Sequence, residues 1–483
     1  MTLPWPDKRV LARIDELLDQ PQRYRFGVVG LGIAGRAMAQ HLVRRGAKVI
    51  GADAREDYPV AQLKNVDIEV RLGKMDAATF TDVDALVLSP GVDPRQDIVR
   101  HALDSGLPVF GELELLRQLP APVVAITGTN GKSTTTALLG QLIESTGKQV
   151  FVGGNLGDPI ATWIDSGRSV DVAVLELSSF QLETAYRFRP DVAVILNVTP
   201  DHGERYARIE DYIGAKRRIL EGLEPENYAI LNRDDETVRS MASATQGMPL
   251  WFSKSQGSDF RESFELERGI QGGILLGDTF KVHALGLSCD LPLDHPKLVG
   301  LHNRDNAMAA VLAMHALGLL KGDVEGFRRG YLAFQGLPHR LEWVDEIDDV
   351  LWVNDSKATN DESAAIAVQA FERPVIALVG GRDKGMGYER LRQACQHKAR
   401  AVITYGEAGS IISEVLAQHR SVYACVTMKE ALQRAREISR PGDVVVLAPA
   451  CSSFDEFSDY QDRGRVFKAF VHSLRGLCTG GVA

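Results

Sequence analysis

Cysteine is scarce in this chain: 483 residues carry five, Cys289, Cys395, Cys425, Cys451 and Cys478. An odd, scattered set without paired spacing argues against a disulfide framework and a zinc site, and points to a reducing compartment, hence the cytoplasm. Long apolar runs are also missing, none approaching the roughly 18 residues needed to cross a bilayer, so no membrane association is expected. Basic blocks are absent too. Lys and Arg number 55 against 64 Asp and Glu, a formal charge of −9, which disfavours nucleic acid as a partner. The first 23 residues are charged, with Leu11, Ile14, Leu17 and Leu18 at helical spacing. They predict a short amphipathic helix, unlike a signal peptide.

What is present is a repeated strand-then-helix pattern in a chain long enough for two to four domains, with 45% hydrophobic residues to bury. Short apolar runs predict buried strands at Arg25 to Val29, Ala85 to Leu88, Val123 to Ile126, Val172 to Leu175, Val192 to Leu196, Tyr228 to Leu231, Val375 to Val379, Ala401 to Thr404 and Val444 to Leu447. The chemistry-bearing residues cluster just after these runs. Ligands of open parallel sheets bind outside the carboxyl ends of strands, so the fold class is α/β. Breaks at Gly106 to Pro122 and at Gln335 to Pro338 predict three domains, 1–111, 112–335 and 336–483. The Gly- and Asp-rich stretch Met248 to Gly300 reads as irregular strands inserted in the central one.

Residues 127–134 read Thr-Gly-Thr-Asn-Gly-Lys-Ser-Thr and follow a strand, and Leu138, Leu139, Leu142 and Ile143 then fall at helical spacing. This is a phosphate-binding loop opening a helix: Gly128, Thr129, Asn130 and Gly131 offer backbone N–H groups, Lys132 a point charge, and Ser133 a hydroxyl for Mg²⁺, with Thr134 next. The strict motif places a glycine five residues before Gly131. Here that position is Ile126.

The shortened loop resembles that of the Mur ligases, ATP-dependent amide-forming enzymes of bacterial cell-wall peptide synthesis. Further blocks follow in that family's order: Asn155-Leu156-Gly157, Glu176 to Leu182, Asn197 to His202, Ala215-Lys216, His302-Asn303 with Asn306, Pro338-His339-Arg340, Asn354 to Asn360, and Pro449 to Tyr460. They span most of the chain. Three of them, Glu176 to Leu182, Asn354 to Asn360 and Pro449 to Asp455, most resemble the branch that joins D-glutamate to UDP-N-acetylmuramoyl-L-alanine.

The resemblance implies a Rossmann-like first domain for the UDP substrate, a central parallel-sheet ATPase domain, and a Rossmann-like last domain that delivers glutamate. It implies ATP, two Mg²⁺ ions and an acyl-phosphate intermediate. Ser133 and Glu176 would hold one ion, and His202 with a carbamylated Lys216 the other, while Asn155 and His202 meet the substrate. Lys132, Glu176, His202 and Lys216 are the catalytic set so implied. Asn306, Arg340, Asp355 and Lys357 would lie near the nucleotide, and Thr359, Lys384, Ser453 and Tyr460 would hold glutamate. Two positions depart from the family: Arg382 interrupts the usual Gly-Gly-Asp-Gly-Lys order, and Tyr460 stands where Phe is frequent. Taken without the resemblance, Lys216 in Lys216-Arg217-Arg218 reads as a solvated basic face. Cys451 reads as a small packed residue, since no general base is paired with it.

The first domain supports a second reading. Gly30-Leu31-Gly32-Ile33-Ala34-Gly35 follows a strand and precedes the helical stretch Ala37 to Arg45, and Asp53 comes 18 residues after Gly35, as a dinucleotide fingerprint requires. An NAD-dependent oxidoreductase, a noncatalytic nucleotide sensor and an L-glutamate-adding or other amide ligase therefore stand as alternatives. The resemblance instead gives Ile33, Ala34, Asp53, Ala54, Arg55 and Gly91 to the UDP moiety, and nothing downstream supplies hydride-transfer machinery.

Overall fold

The computed structural model describes residues 6–63, 67–118, 121–203, 205–254, 271–385, 387–419 and 421–478. Three sheets organise them. The first contains β1 (Arg25–Val29), β2 (Lys48–Asp53), β3 (Ile68–Leu72), β4 (Ala85–Leu88) and β5 (Val109–Gly111), all parallel in the order β3-β2-β1-β4-β5. β1, β2, β4 and β5 are apolar and nearly wholly buried, the pattern of parallel strands covered by helices on both faces. The amphipathic helix is there, at Lys8–Asp19. Asp7 caps it by accepting from the Arg9 and Val10 N–H groups, and Ile14, Leu17 and Leu18 are buried in the core of this domain.

The central sheet contains β6 (Val123–Thr127), β7 (Val150–Gly154), β8 (Val172–Glu176), β9 (Val192–Ile195), β10 (Tyr228–Asn232), β11 (Met248–Ser253), β12 (Gly272–Leu276), β13 (Thr279–Ala284) and β14 (Leu287–Pro292). Their order is β14-β13-β12-β11-β10-β9-β6-β8-β7, parallel from β7 through β12 and antiparallel over the last two pairings. The strands after Met248 are therefore a regular extension of this sheet and not an irregular insertion; residues 255–270 lie outside the described residues. The break expected at Gly106 to Pro122 is structured as well. It holds β5 and a 3₁₀ helix, Glu112–Gln118, whose first carboxylate accepts from the Ala161 N–H at 3.2 Å.

The third sheet contains β15 (Glu342–Ile347), β16 (Val350–Asn354), β17 (Val375–Gly380), β18 (Ala399–Tyr405), β19 (Val422–Ala424) and β20 (Val444–Ala450), in the order β15-β16-β20-β17-β18-β19 with only β15 antiparallel. The chain divides into two compact units, Met1–Leu293 with Asp305–Tyr331, and Asp294–Arg304 with Leu332–Ala483. The first unit thus contains two sheets. They are joined partly by Asp165, whose carboxylate meets His41 Nδ1 at 2.6 Å and Arg44 Nη1 at 2.5 Å. Among the described residues, no helix is long and apolar enough to cross a membrane.

Candidate functional site

Strand β6 lies between β8 and β9, where the strand order reverses, and its carboxyl end is the crevice that open α/β sheets use for ligands. There the chain enters the loop Gly128 to Gly131 and then the helix Lys132–Ser145. Gly131 sits at φ +87°, and a Cβ on it would lie 2.2 Å from Asn306 Oδ1, so no other residue fits. Asn306 also accepts from Thr135 Oγ1 at 3.1 Å, which ties the helix Leu301–Ala316 to the loop. Asn197, just past β9, fixes the other side: its Oδ1 accepts from the Thr129 and Asn130 N–H groups at 3.1 and 2.8 Å, and its Nδ2 donates to Asn130 O. Sequence reasoning had placed Asn197 in a block without giving it a role. Lys132 Nζ donates to Gly128 O at 2.9 Å and Thr129 O at 2.8 Å, and Ser133 is buried.

Lys216 overturns the solvated-face reading. It is 1% exposed, its Nζ donates to Gly128 O at 2.7 Å, and it lies 4.6 Å from the Tyr212 ring centroid. Burial, reinforced by repulsion from Lys132, holds its ammonium pKa well below the usual lysine range. Of the three consecutive basic residues, Lys216 and Arg218 are buried and Arg217 is exposed.

Glu176 ends β8 beside this loop. Its Oε1 accepts from Asn155 Nδ2 at 2.8 Å, while its Oε2 is buried without a hydrogen-bond partner among the described residues. A buried carboxylate oxygen left without a donor is costly unless something cationic meets it, and a hard divalent ion suits it. His202, at φ +55°, packs 4.9 Å from the Phe180 ring and keeps 41% of its side chain exposed. Among the described residues no group of three or more His, Cys, Asp or Glu is arranged to hold a metal. The spare oxygen of Glu176 is the feature here that suits such an ion, whose further oxygens would come from phosphate and water.

At the carboxyl end of the first sheet, Asp53 uses both carboxylate oxygens. Oδ2 accepts from the Leu31 N–H at 2.8 Å and from Arg55 Nη2 at 2.9 Å; Oδ1 accepts from Arg55 Nε at 2.8 Å and from its backbone N–H. The Arg55 hydrogen bonds, against the opposing effect of burial, lower its pKa to about 2. Ile33, Ala54, Arg55 and Gly91 are exposed around Asp53 and Ala34 is half-buried. Of these, Ala54 lines an open cavity of about 500 Å³, together with Glu56, Lys74, Arg95 and Arg100 among others. Those last three basic residues were not singled out from the sequence, where nothing sets them apart from other surface cations.

The second unit gathers its own set at the ends of β16, β17 and β20. Asp355 is buried, and burial pushes its carboxyl up to about 7 against the opposing charge of Arg340 and the Leu341 N–H. Lys357 Nζ lies 4.0 Å from the Tyr460 ring centroid, and Lys384 Nζ donates to Thr359 O at 3.0 Å. Ser453 is buried. Arg382, the departure from the family pattern, is turned to Glu407, with both hydrogen bonds at 3.1 Å. Cys451 contacts the Tyr388 hydroxyl at 3.2 Å and burial pushes its thiol up to about 11, so it is a packed residue as expected.

Family models match three stretches: "Mur ligase MurD-like, N-terminal domain" over residues 24–111, "Mur ligase middle domain" over 126–314 and "Mur ligase, glutamate ligase domain" over 339–451. The chain is 39% identical over 455 residues to the UDP-N-acetylmuramoylalanine–D-glutamate ligase of Desulfosudis oleivorans, covering 93% of this chain and 96% of that one. It is 40% identical over 455 residues to the protein of the same name from Trichlorobacter lovleyi, covering 92% and 98%. Among solved structures it is similar to UDP-N-acetylmuramate-alanine ligase of Thermotoga maritima, with TM-score 0.55, 19% identity, and 93% and 99% coverage. A pseudomurein peptide ligase type C from Methanothermus fervidus gives TM-score 0.56, 17% identity, and 93% and 100% coverage. At such identities the structural likeness speaks for the fold.

Proposed function

Because this chain belongs to the Mur ligase family, we propose that it is the ATP-dependent ligase that joins D-glutamate to UDP-N-acetylmuramoyl-L-alanine in cytoplasmic peptidoglycan precursor synthesis. The observation carrying the chemistry is the constellation around Gly128: two lysine amines on one carbonyl, beside a carboxylate with an oxygen to spare. We assign residues 1–111 to the UDP substrate, 112–335 to ATP and 336–483 to glutamate.

The alanyl carboxylate oxygen attacks the γ-phosphorus of ATP, the β–γ bridging bond breaks, and ADP leaves. The glutamate amine, having lost a proton, then attacks the acyl carbon, and phosphate departs with the bonding electrons. Two anions must meet in the first step, so Lys132 faces the transferring phosphoryl group as a preorganised cation. Mg²⁺, held by Ser133 and Glu176 and at a second position by His202 and Lys216, supplies further charge neutralisation when bound. Asn155 anchors Glu176 and orients the substrate.

Lys216 serves this role as a carbamate. Its buried amine, biased toward the neutral form, attacks CO₂; an N–C bond forms, a proton is lost, and a cation becomes an oxygen ligand. Asp53, Arg55 and the exposed edge at Ile33, Ala34, Ala54 and Gly91 receive the UDP moiety. Asn306, Arg340, Asp355 and Lys357 serve the nucleotide, and Thr359, Lys384, Ser453 and Tyr460 hold glutamate.

The test is phosphate release from ATP with UDP-N-acetylmuramoyl-L-alanine and each of D-glutamate, L-glutamate, meso-diaminopimelate and L-lysine. Turnover with D-glutamate alone is expected. Turnover with another amino acid in its place contradicts the assignment.

A further inference from the structure

Arg463 lies on the helix Tyr460–Cys478, outside every residue assigned above, and is 0% exposed. Among the described residues, no carboxylate is hydrogen-bonded to it. Its Nε donates to Ser356 Oγ at 3.0 Å, its Nη2 to Ser356 O at 2.9 Å and Cys451 O at 3.1 Å, and its Nη1 to Ser452 O at 3.2 Å. Burying a guanidinium is costly unless its donors are satisfied, so these acceptors matter to the fold. They come from two loops. Ser356 sits between Asp355 and Lys357 after β16, and Cys451 and Ser452 precede Ser453 after β20.

A third loop packs on the same group. A Cβ on Gly381, three residues before Lys384, would lie 3.0 Å from Arg463 Nη1 and 2.3 Å from Ser452 O. The Arg382 N–H donates to Ser452 O at 2.9 Å, so the β17 and β20 loops are also stitched together directly. Ser356 completes the arrangement by donating from Oγ to Tyr460 O at 2.8 Å. Beside this junction Ala450 holds φ +61°, a left-handed conformation unfavourable for alanine that persists only where its surroundings enforce it.

We propose that Arg463 is a positioning residue: its planar fork sets the nucleotide-side loop of Asp355 and Lys357 and the glutamate-side loops of Lys384 and Ser453 in one register. This inference rests on the ligase reading above. Arginine suits the task because its donors form a rigid fork that engages several acceptors at once, which a lysine ammonium cannot reproduce. Neither loop's residues need touch the other's ligand for the two to be coupled.

The experiment compares Arg463→Lys and Ser356→Ala with the parent, measuring KM for D-glutamate and for ATP, kcat, thermal midpoint, and the dissociation constant of the UDP substrate. Misplacement of about 1 Å costs up to ~10²-fold in rate. Arg463→Lys is therefore expected to raise both KM values together by ~10-fold and to lower kcat, with UDP-substrate affinity within about twofold of the parent. Ser356→Ala keeps the guanidinium and removes one acceptor, so it should shift both KM values in the same direction by ~3-fold. A lowered thermal midpoint with both KM values unchanged would make Arg463 merely structural and overturn the proposal. If Arg463→Lys does not fold, parent-like KM values for Ser356→Ala overturn it alone. Failure of the parent to release phosphate with D-glutamate faults the ligase reading instead.

Discussion

Two glycine-rich turns, one after β1 and one after β6, begin alike and end in different chemistry. Each leaves a buried parallel strand and opens a helix, Ile33–Arg44 in the first case and Lys132–Ser145 in the second. In the first, the third glycine serves packing, since a Cβ on Gly35 would lie 1.8 Å from Gly30 O. Its neighbouring acid, Asp53, is spent on the turn's own Leu31 N–H and on Arg55. In the second, adjacent elements bring Lys132, Lys216 and Glu176 to the loop: both amines donate to Gly128 O, and Glu176 keeps one buried carboxylate oxygen without a hydrogen-bond partner among the described residues. Glycine spacing therefore reports backbone shape, which suffices to bind a phosphate. Transferring one takes the side chains that neighbouring strands and helices supply.

If that contrast holds, Lys132→Ala separates the two turns most sharply. Phosphate release should fall by ~10³-fold or more, several kcal/mol of transition-state stabilisation, while UDP-substrate affinity stays near the parent's. Calorimetry alongside the rate assay checks both halves. Next come the Lys216 variants: both Lys216→Ala and Lys216→Arg should lose ~10²-fold or more in rate, and acetate should partly restore Lys216→Ala by acting as an oxygen ligand. Parent-like turnover by Lys216→Arg removes the carbamate from the account.

Arg55→Ala probes the other turn. It frees Asp53 of its main partner and should weaken UDP-substrate binding by ~10-fold with kcat little changed, and NADH should bind neither variant nor parent. Micromolar NADH binding would instead favour the dinucleotide reading.

The smallest effect on turnover concerns Glu112, which acts on stability instead and lies on the 3₁₀ helix joining the two sheets that carry these turns. Burial pushes its carboxyl from 4.5 up to about 7. The folded protein thus keeps a proton that the unfolded chain releases near 4.5. The stabilisation is complete below that pH and is lost as pH rises through about 7. Glu112→Gln should stabilise the fold at pH 8 relative to the parent by at most ~3 kcal/mol, read as a higher thermal midpoint, and the gain should vanish near pH 4. Parallel pH profiles for the two proteins would show that this carboxyl ionises normally.

All nine strands read from apolar runs are present, several of them a residue or more longer than read. Three of the missed strands have physical reasons. β7 (Val-Phe-Val-Gly-Gly) and β12 (Gly-Gly-Ile-Leu-Leu) spend two of five positions on glycine, which dilutes the apolar signal. β3 is half-buried with charged residues at Glu69 and Arg71. Glu176 and Asp53 close β8 and β2, as their places after apolar runs suggest, whereas the role of Glu176 came only from the resemblance. Lys216 was singled out only through resemblance, because pattern reading assigns lysine to solvent, whereas its burial depends on packing against the Gly128 carbonyl, 88 residues away in sequence. Asn197 and Arg463 escaped for a related reason: each acts by holding backbone groups of remote loops, and no local spacing encodes that.

The most direct test labels the alanyl carboxylate of UDP-N-acetylmuramoyl-L-alanine with heavy oxygen and follows it by mass spectrometry during turnover with ATP and D-glutamate. An acyl phosphate requires that one labelled oxygen leave with each phosphate released while the other stays in the new amide. The account predicts that transfer in the parent, dependent on D-glutamate, and none in Lys132→Ala. Phosphate released without the label, or at the same rate with no UDP substrate present, would contradict it.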